Sequence, residues 1–316
     1  MFLFETEQNV ATIGGIRIGG QPGENATVLI GSMFHKGDRL IESRRERKFD
    51  RAKATDYIRR QEELSSQTGI PCLMDIVANS GEEFKAYIDF FAHTTDMPFA
   101  TDAWNAAPKL AAARYVSELG LTDRFVYNSI TPWGKDNEEE VATIAGLGVK
   151  NIMLCAFDND DPTPAGRVRS TESLLAVAKK GNFENVLVDT TVLNLPSTSF
   201  SLLANYEIKT RFGLPVGCAA ANATYAWKEA REKWDTLGFA GLDAATHGIA
   251  ALLWSDFLFY GPAVNARWVF PAVAAADLML STMYYHESGA LPTDPGHPLH
   301  RLFPDFAGKL AKRGGD

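Results

Sequence analysis

Short apolar runs recur along the chain, each followed by a polar-interrupted segment long enough for a helix. The runs at 27–34, 71–77, 98–101, 124–127, 151–157, 185–188, 214–217 and 256–260 are nearly continuous rather than alternating. That pattern predicts parallel strands buried on both faces. Helices are predicted at about 50–68, from 80 onward, at 106–119, 137–147, 198–212, 224–234 and 242–253, and from 263 onward, where apolar residues follow a helical period. Local punctuation agrees. Gly69 stands just past the first helix, Ser80-Gly81-Glu82-Glu83 reads as a capping box, and acids open the helix at 137. Near the N-terminus, 9–13 and 16–18 flank Gly14-Gly15, a two-residue hairpin turn. Such a hairpin is suited to plug the open base of a barrel.

Roughly eight strand–helix units in unbroken alternation predict an α/β fold of the (β/α)8 TIM-barrel type, with an N-terminal β-hairpin. A doubly wound open sheet would carry a phosphate loop after its first strand. The residues there, Gly31-Ser32-Met33-Phe34-His35-Lys36-Gly37, match neither GxGxxG nor GxxxxGKS. The expected organisation is one barrel domain over 1–316, with hairpin and linker at 1–26 and a C-terminal tail at 286–316.

Several of these strands end alike. Pro98-Phe99-Ala100-Thr101-Asp102, Phe125-Val126-Tyr127-Asn128-Ser129 and Val186-Leu187-Val188-Asp189-Thr190 each deliver a carboxylate or an amide at a C-terminal end, where barrels carry their chemistry. Asp158 opens a long proline-bearing loop after the fifth strand, and Asn222 follows the seventh. Asp75 lies inside the second strand, in phase with Leu73 and Val77. It is either an inward-pointing group or a satisfied buried acid, and the structural reading has the edge. Asp and Asn at a rim accept from ring N–H and amino groups, and amides also donate. A 2-amino-4-oxo pteridine presents a matching edge. The competing reading, that each residue merely caps the next helix, weakens when three strands end the same way.

Charge and cysteine content narrow the classes. A net charge of -8 argues against nucleic-acid binding, and the basic run at 44–48 is interleaved with acids. Cys72, Cys155 and Cys218 lie in or beside apolar runs without CxxC spacing, which suggests free thiols in a reducing, cytoplasmic setting. None of the six histidines pairs with another at metal-ligand spacing, and no GxSxG elbow occurs, so neither a metal nor a nucleophilic serine is expected. No signal peptide is expected, because Met1-Phe2-Leu3-Phe4 runs at once into Glu5 and Glu7. The apolar stretch 263–285 is broken by Asn265, Arg267, Pro271 and Asp277. It reads as a packed or interfacial helix rather than a membrane span, and a homodimer is expected on its strength.

Four stretches carry a family resemblance: Ile18-Gly19-Gly20-Gln21-Pro22-Gly23-Glu24, Val126-Tyr127-Asn128-Ser129-Ile130, Lys209-Thr210-Arg211-Phe212-Gly213-Leu214-Pro215-Val216-Gly217 and Phe257-Leu258-Phe259-Tyr260-Gly261-Pro262. Over most of its length the chain resembles the H subunit of tetrahydromethanopterin S-methyltransferase and its soluble bacterial relatives, nearest to the methylcorrinoid:tetrahydrofolate methyltransferases of glycine betaine systems. The resemblance implies a pterin-binding, dihydropteroate synthase-like barrel. It implies that Asp102, Asn128 and Asp189 grip the pterin and that Asn222 approaches the reacting nitrogen. It also implies methyl transfer from methylcobalamin, held on a separate corrinoid carrier protein, to nitrogen-5 of tetrahydrofolate, giving 5-methyltetrahydrofolate and cob(I)alamin. The chain lacks the Asp-x-His-x-x-Gly motif by which carriers hold cobalamin. Tetrahydrofolate rests on the overall look of the chain rather than on a motif. The alternatives are a tetrahydromethanopterin-specific subunit, a non-catalytic docking subunit for the corrinoid protein, and a dihydropteroate synthase. The last is disfavoured because 214–222 holds no Lys or Arg.

Overall fold

The structure is a computed structural model describing residues 2–313. The hairpin strands β1 (Val10–Ile13) and β2 (Ile16–Gly19) come first, then β3 (Val28–Met33) and the short pair β4 (Ile41–Ser43) and β5 (Lys48–Phe49). Strand–helix units follow: α1 (Arg51–Thr68), β6 (Cys72–Val77), α2 (Gly81–Thr94), β7 (Phe99–Asp102), α3 (Ala106–Glu118), β8 (Phe125–Ile130), α4 (Asn137–Gly146), β9 (Asn151–Cys155) and α5 (Pro164–Ala178). The chain continues through β10 (Asn185–Asp189), α6 (Thr198–Phe212), β11 (Val216–Cys218), α7 (Ala220–Ala226), α8 (Ala230–Leu252), β12 (Phe257–Pro262), α9 (Ala266–Ser288), α10 (Pro298–Leu302) and α11 (Pro304–Arg313). The strands β3, β6, β7, β8, β9, β10, β11 and β12 close in that order into an all-parallel barrel. The TIM-barrel expectation holds.

The predicted stop at Gly69 holds, and the capping box at Ser80 forms in part. Asp50 accepts from Lys53 N at 2.9 Å, and Gly69 ends α1 in the left-handed region at φ 79°. Ser80 accepts from Glu83 N, but the Glu83 carboxylate returns to Asn79 N rather than to the cap residue itself.

The hairpin seals the barrel base. Gly14 and Gly15 both have positive φ, 54° and 85°, as a tight two-residue turn requires. Ile13 and Ile18 are fully buried against Val28, Leu73, Val126 and Leu187 of the barrel interior. Beside the hairpin, the buried Lys209 Nζ sits 2.8 Å from both Asp256 carboxylate oxygens and 3.0 Å from Gly20 O. Asp256 in turn accepts from Val216 N. Two of the four resemblance stretches, around Gly20 and Lys209, therefore fasten the base and not the rim.

The late part of the chain departs from expectation. The helix expected at 224–234 is two pieces: α7 begins at Ala220, directly after β11, and α8 begins at Ala230. The latter also absorbs the helix expected at 242–253. Its axis breaks at Trp234 and Asp235, where the Asp235 carboxylate caps Leu237 N and Gly238 N and restarts the helix. The segment expected as a tail from 286 carries α10 and α11, and α10 packs on α9 and α1; residues 314–316 lie outside the described residues. Among the described residues one helix, Ala263–Ser288, is long and apolar enough to cross a membrane, and 56% of its most apolar window is buried. It packs against α8 and α1, and its Asp277 accepts from Thr27 N and Oγ1, both at 2.8 Å.

Candidate functional site

The barrel interior explains the site by simple alternation. Side chains two residues apart on a strand face the same way. Leu73, Ala100, Val126, Met153 and Leu187 form an apolar layer above the hairpin plug. Two residues further along the same strands stand Asp75, Asp102, Asn128, Cys155 and Asp189. By the same step, Ile30 leads to Ser32 on β3. All six polar residues line one cavity of about 560 Å³ at the C-terminal rim. Strand register holds them level: Asp102 is paired with Asn128, and Asp189 with Cys155. The strands β7, β8 and β10 run past their predicted ends, so Asp102, Asn128 and Asp189 are fixed by the ladder and not by loops. The peptide between Asn128 and Ser129 is cis.

The hydrogen-bond account of this cavity is incomplete in one direction. Asn128 Nδ2 donates to Asp75 Oδ1 at 3.3 Å, and Asp189 Oδ1 accepts from Thr191 N at 2.8 Å. Among the described residues, no donor reaches the Asp102 carboxylate. Asp102 keeps its acceptor capacity unused although Lys36 and Arg44 also line the cavity, and removal from water raises a carboxyl pKa. Burial pushes Asp189 up to about 6, against the pull of the Thr191 amide, with Asp102 adding repulsion. Asp102 is raised by burial, with Lys109 opposing. Asp75 is raised well above the usual range by burial and by the Asp102 charge. A ligand edge rich in N–H donors would give Asp102 the partner it lacks and would favour the ionised form of each carboxylate it meets.

Buried cations support the rim from behind. Lys109 is 3% exposed, donates to Ser129 O and lies 3.3 Å from Glu140 Oε1, which also accepts from Tyr127 Oη. Arg167 is fully buried; its Nε donates to Thr190 O at 2.6 Å and its second terminal nitrogen to Thr191 O at 3.0 Å. The turn after β10, and with it Asp189, is thereby pinned. Neither cation was singled out in the sequence, because each sits on a helix distant from the strand end it serves.

Asn222 also lines the cavity, from the first turn of α7 rather than from a loop, and its side chain is exposed. Asp158 is not brought there. It lines a neighbouring hollow, where its carboxylate accepts from Asp160 N and Asp161 N and meets Arg169 at 3.2 Å. Those loop amides hold its pKa low. Asp158 shapes its own loop, whose amides fold back on its carboxylate ahead of α5. Ser32 and Cys155 were missed, although the two-residue step from Ile30 and Met153 marks both. Burial pushes the Cys155 thiol up to about 12, so it faces the cavity as a neutral group. Trp104 and Trp133 stand at the mouth, 85% and 43% exposed, with rings 6.3 Å apart and nearly parallel.

Known proteins agree with this architecture. Solved structures of similar fold include the Yersinia pestis dihydropteroate synthase with a pterine-sulfa conjugate, with a TM-score of 0.59 at 14% identity over 87% of this chain and 100% of that one. Another is the Coxiella burnetii dihydropteroate synthase in complex with pteroic acid, with a TM-score of 0.58 at 14% identity over 89% of this chain and 99% of that one. At that identity the likeness concerns the fold. Sequence relatives are nearer. In Methanothermobacter marburgensis, the H subunit of tetrahydromethanopterin S-methyltransferase is 34% identical over 89% of this chain and 94% of its own length. Its counterpart in Methanocaldococcus jannaschii is 33% identical over 96% of this chain and all of its own. Residues 6–290 match the family model described as tetrahydromethanopterin S-methyltransferase MtrH subunit, and the chain belongs to that family.

Proposed function

We propose that the chain catalyses methyl transfer between nitrogen-5 of a reduced pterin, held in the rim cavity, and a corrinoid carried by a separate protein. The carrying observation is the cavity itself. Asp102, Asp189 and Asn128 converge on one hollow of about 560 Å³ with unused acceptor capacity, and a 2-amino-4-oxo pteridine offers the donors. The names of the relatives favour tetrahydromethanopterin over the tetrahydrofolate expected from the sequence. Both pterins share the ring edge that these residues address.

The chain needs no nucleophile of its own. Asp102, Asn128 and Asp189 orient the ring, and positioning of this kind supplies on the order of 7–11 kcal/mol in favourable cases. Asn222, at the open side of the cavity with its amide free, hydrogen-bonds near nitrogen-5 as that atom changes charge. Asp75 backs Asn128 through the Nδ2 contact and sets its orientation. The corrinoid is the second substrate; it supplies or accepts the methyl group, the electron pair of the broken carbon–metal bond staying with it when nitrogen-5 is methylated. The exposed Trp104 and Trp133 give its protein an aromatic surface to meet.

The test is methyl transfer by the isolated chain, with methylcobalamin or a methylated carrier and each pterin in turn. Asn128→Ala weakens pterin binding on the order of tenfold. Asn222→Ala lowers turnover on the order of a hundredfold with little change in affinity. Wild-type rates from both variants overturn the reading. A chain inactive with both pterins and a competent carrier is a docking subunit instead.

A further inference from the structure

At the end of β12 the pterin cavity gives way to a second hollow, also about 560 Å³, whose wall is cationic. Arg39 enters it from the loop after β3, Lys53 from α1, Arg231 from α8 and Arg267 from α9. Among the described residues none of the four is paired with a carboxylate. Three of them rest on aromatic rings instead. Arg231 lies 4.2 Å from the Phe239 centroid and 4.9 Å from that of Tyr225; Arg267 lies 4.8 Å from Trp268, and Lys53 lies 5.9 Å from Tyr57. The one carboxylate on this wall, Asp38, accepts from Phe34 N at 2.7 Å and Leu40 N at 3.0 Å, with His35 Nε2 at 3.9 Å. In a chain of net charge -8, four cations left without anions around one hollow constitute a local excess that calls for an anionic ligand. Guanidinium groups suit carboxylates and phosphates, and the aromatic faces between them suit a flat linker.

The two hollows adjoin. Gly261 lines the first and Pro262 the second, with consecutive Cα atoms about 3.8 Å apart. Asn222 lines the first and Tyr225 the second, within one turn of α7. A molecule whose ring lies beside Asn222 therefore has the cationic hollow within reach past Gly261.

We propose that this second hollow holds the oxyanion-bearing tail, carboxylate or phosphate, of the pterin whose ring occupies the first. The proposal rests on the pterin reading above and adds the part of the substrate that reading leaves unassigned.

The experiment compares tetrahydrofolate triglutamate with a tail-less reduced pterin, 6-methyltetrahydropterin, by calorimetry on the full chain. Wild type should prefer the tailed ligand on the order of tenfold or more at low salt. The preference should shrink as ionic strength rises, since Arg39, Arg231 and Arg267 are exposed. Arg231→Gln with Arg267→Gln should remove most of it, leave affinity for the tail-less ligand in place, and be rescued in part by lysine at both positions. The salt series on wild type decides the matter if the double variant does not fold. Equal affinity for the two ligands, independent of salt, overturns the tail site and leaves the ring site standing. Binding of neither ligand, nor of tetrahydromethanopterin, overturns both. A loss in the double variant confined to the KM for methylcobalamin, which bears a phosphodiester, assigns the cations to the corrinoid and overturns the proposal.

Discussion

At the scale of single residues, the cavity gathers three buried carboxylates, of which Asp102 has no donor among the described residues, and this has a cost in stability that can be measured. Asp189 titrates near 6 in the folded chain, against about 3.9 for an ordinary Asp. Between those values the folded state keeps a proton that the unfolded chain has lost. The stability Asp189 contributes is therefore full below about pH 4 and is lost as pH rises through 6. Asp189→Asn keeps the oxygen that accepts from Thr191 N and discards the charge. The variant should be more stable than wild type at pH 8, by about 1–3 kcal/mol, and no more stable at pH 3.5. Its affinity for a reduced pterin should fall. Urea midpoints at the two pH values check this, and coincident midpoints at pH 8 would show that the carboxylate is already satisfied in the free protein. At this scale the sequence marked Asp102, Asn128 and Asp189 by their strand-end positions. Asp158 looked equivalent to them, because a loop that folds back on its own carboxylate reads the same as one that points it at a ligand.

At the scale of elements, the hairpin and the strand ladder do separate work. Ile13 is fully buried where the hairpin meets the barrel interior, some distance below the rim. Ile13→Ala should cost about 2–4 kcal/mol by chemical denaturation while leaving pterin affinity within twofold of wild type, because the strand register that levels the rim does not pass through it. A large loss of affinity at unchanged stability would mean that the plug positions the site. The hairpin was legible because Gly14-Gly15 between alternating strands has few other uses. The region after β11 was not. An Ala-rich run carries weak helical signals at either end, and the break at Asp235 depends on a side chain turning back on its own backbone.

At the scale of the whole molecule, the barrel presents one working face. The base is closed by the hairpin and the Lys209–Asp256 pair, which leaves the rim as the open end of the barrel. Trp104 and Trp133 stand there exposed, and replacing both by Ala should lower kcat/KM with a corrinoid carrier protein on the order of tenfold, with a smaller loss for free methylcobalamin. Equal losses with the two donors would place the tryptophans in pterin binding instead. Hydrophobic pattern alone determined the barrel, the hairpin and the level at which strand-end polar groups emerge, because burial on both faces of a parallel sheet and a two-residue side-chain period leave little freedom. Tertiary structure decided which polar groups share a space. It brought Ser32 and Cys155 in, turned Asp158 away, set Lys109 and Arg167 behind the rim, and gathered Arg39, Lys53, Arg231 and Arg267 from four separate segments into one hollow. Those meetings depend on barrel closure and helix packing, which join residues far apart along the chain and leave no local trace in its sequence.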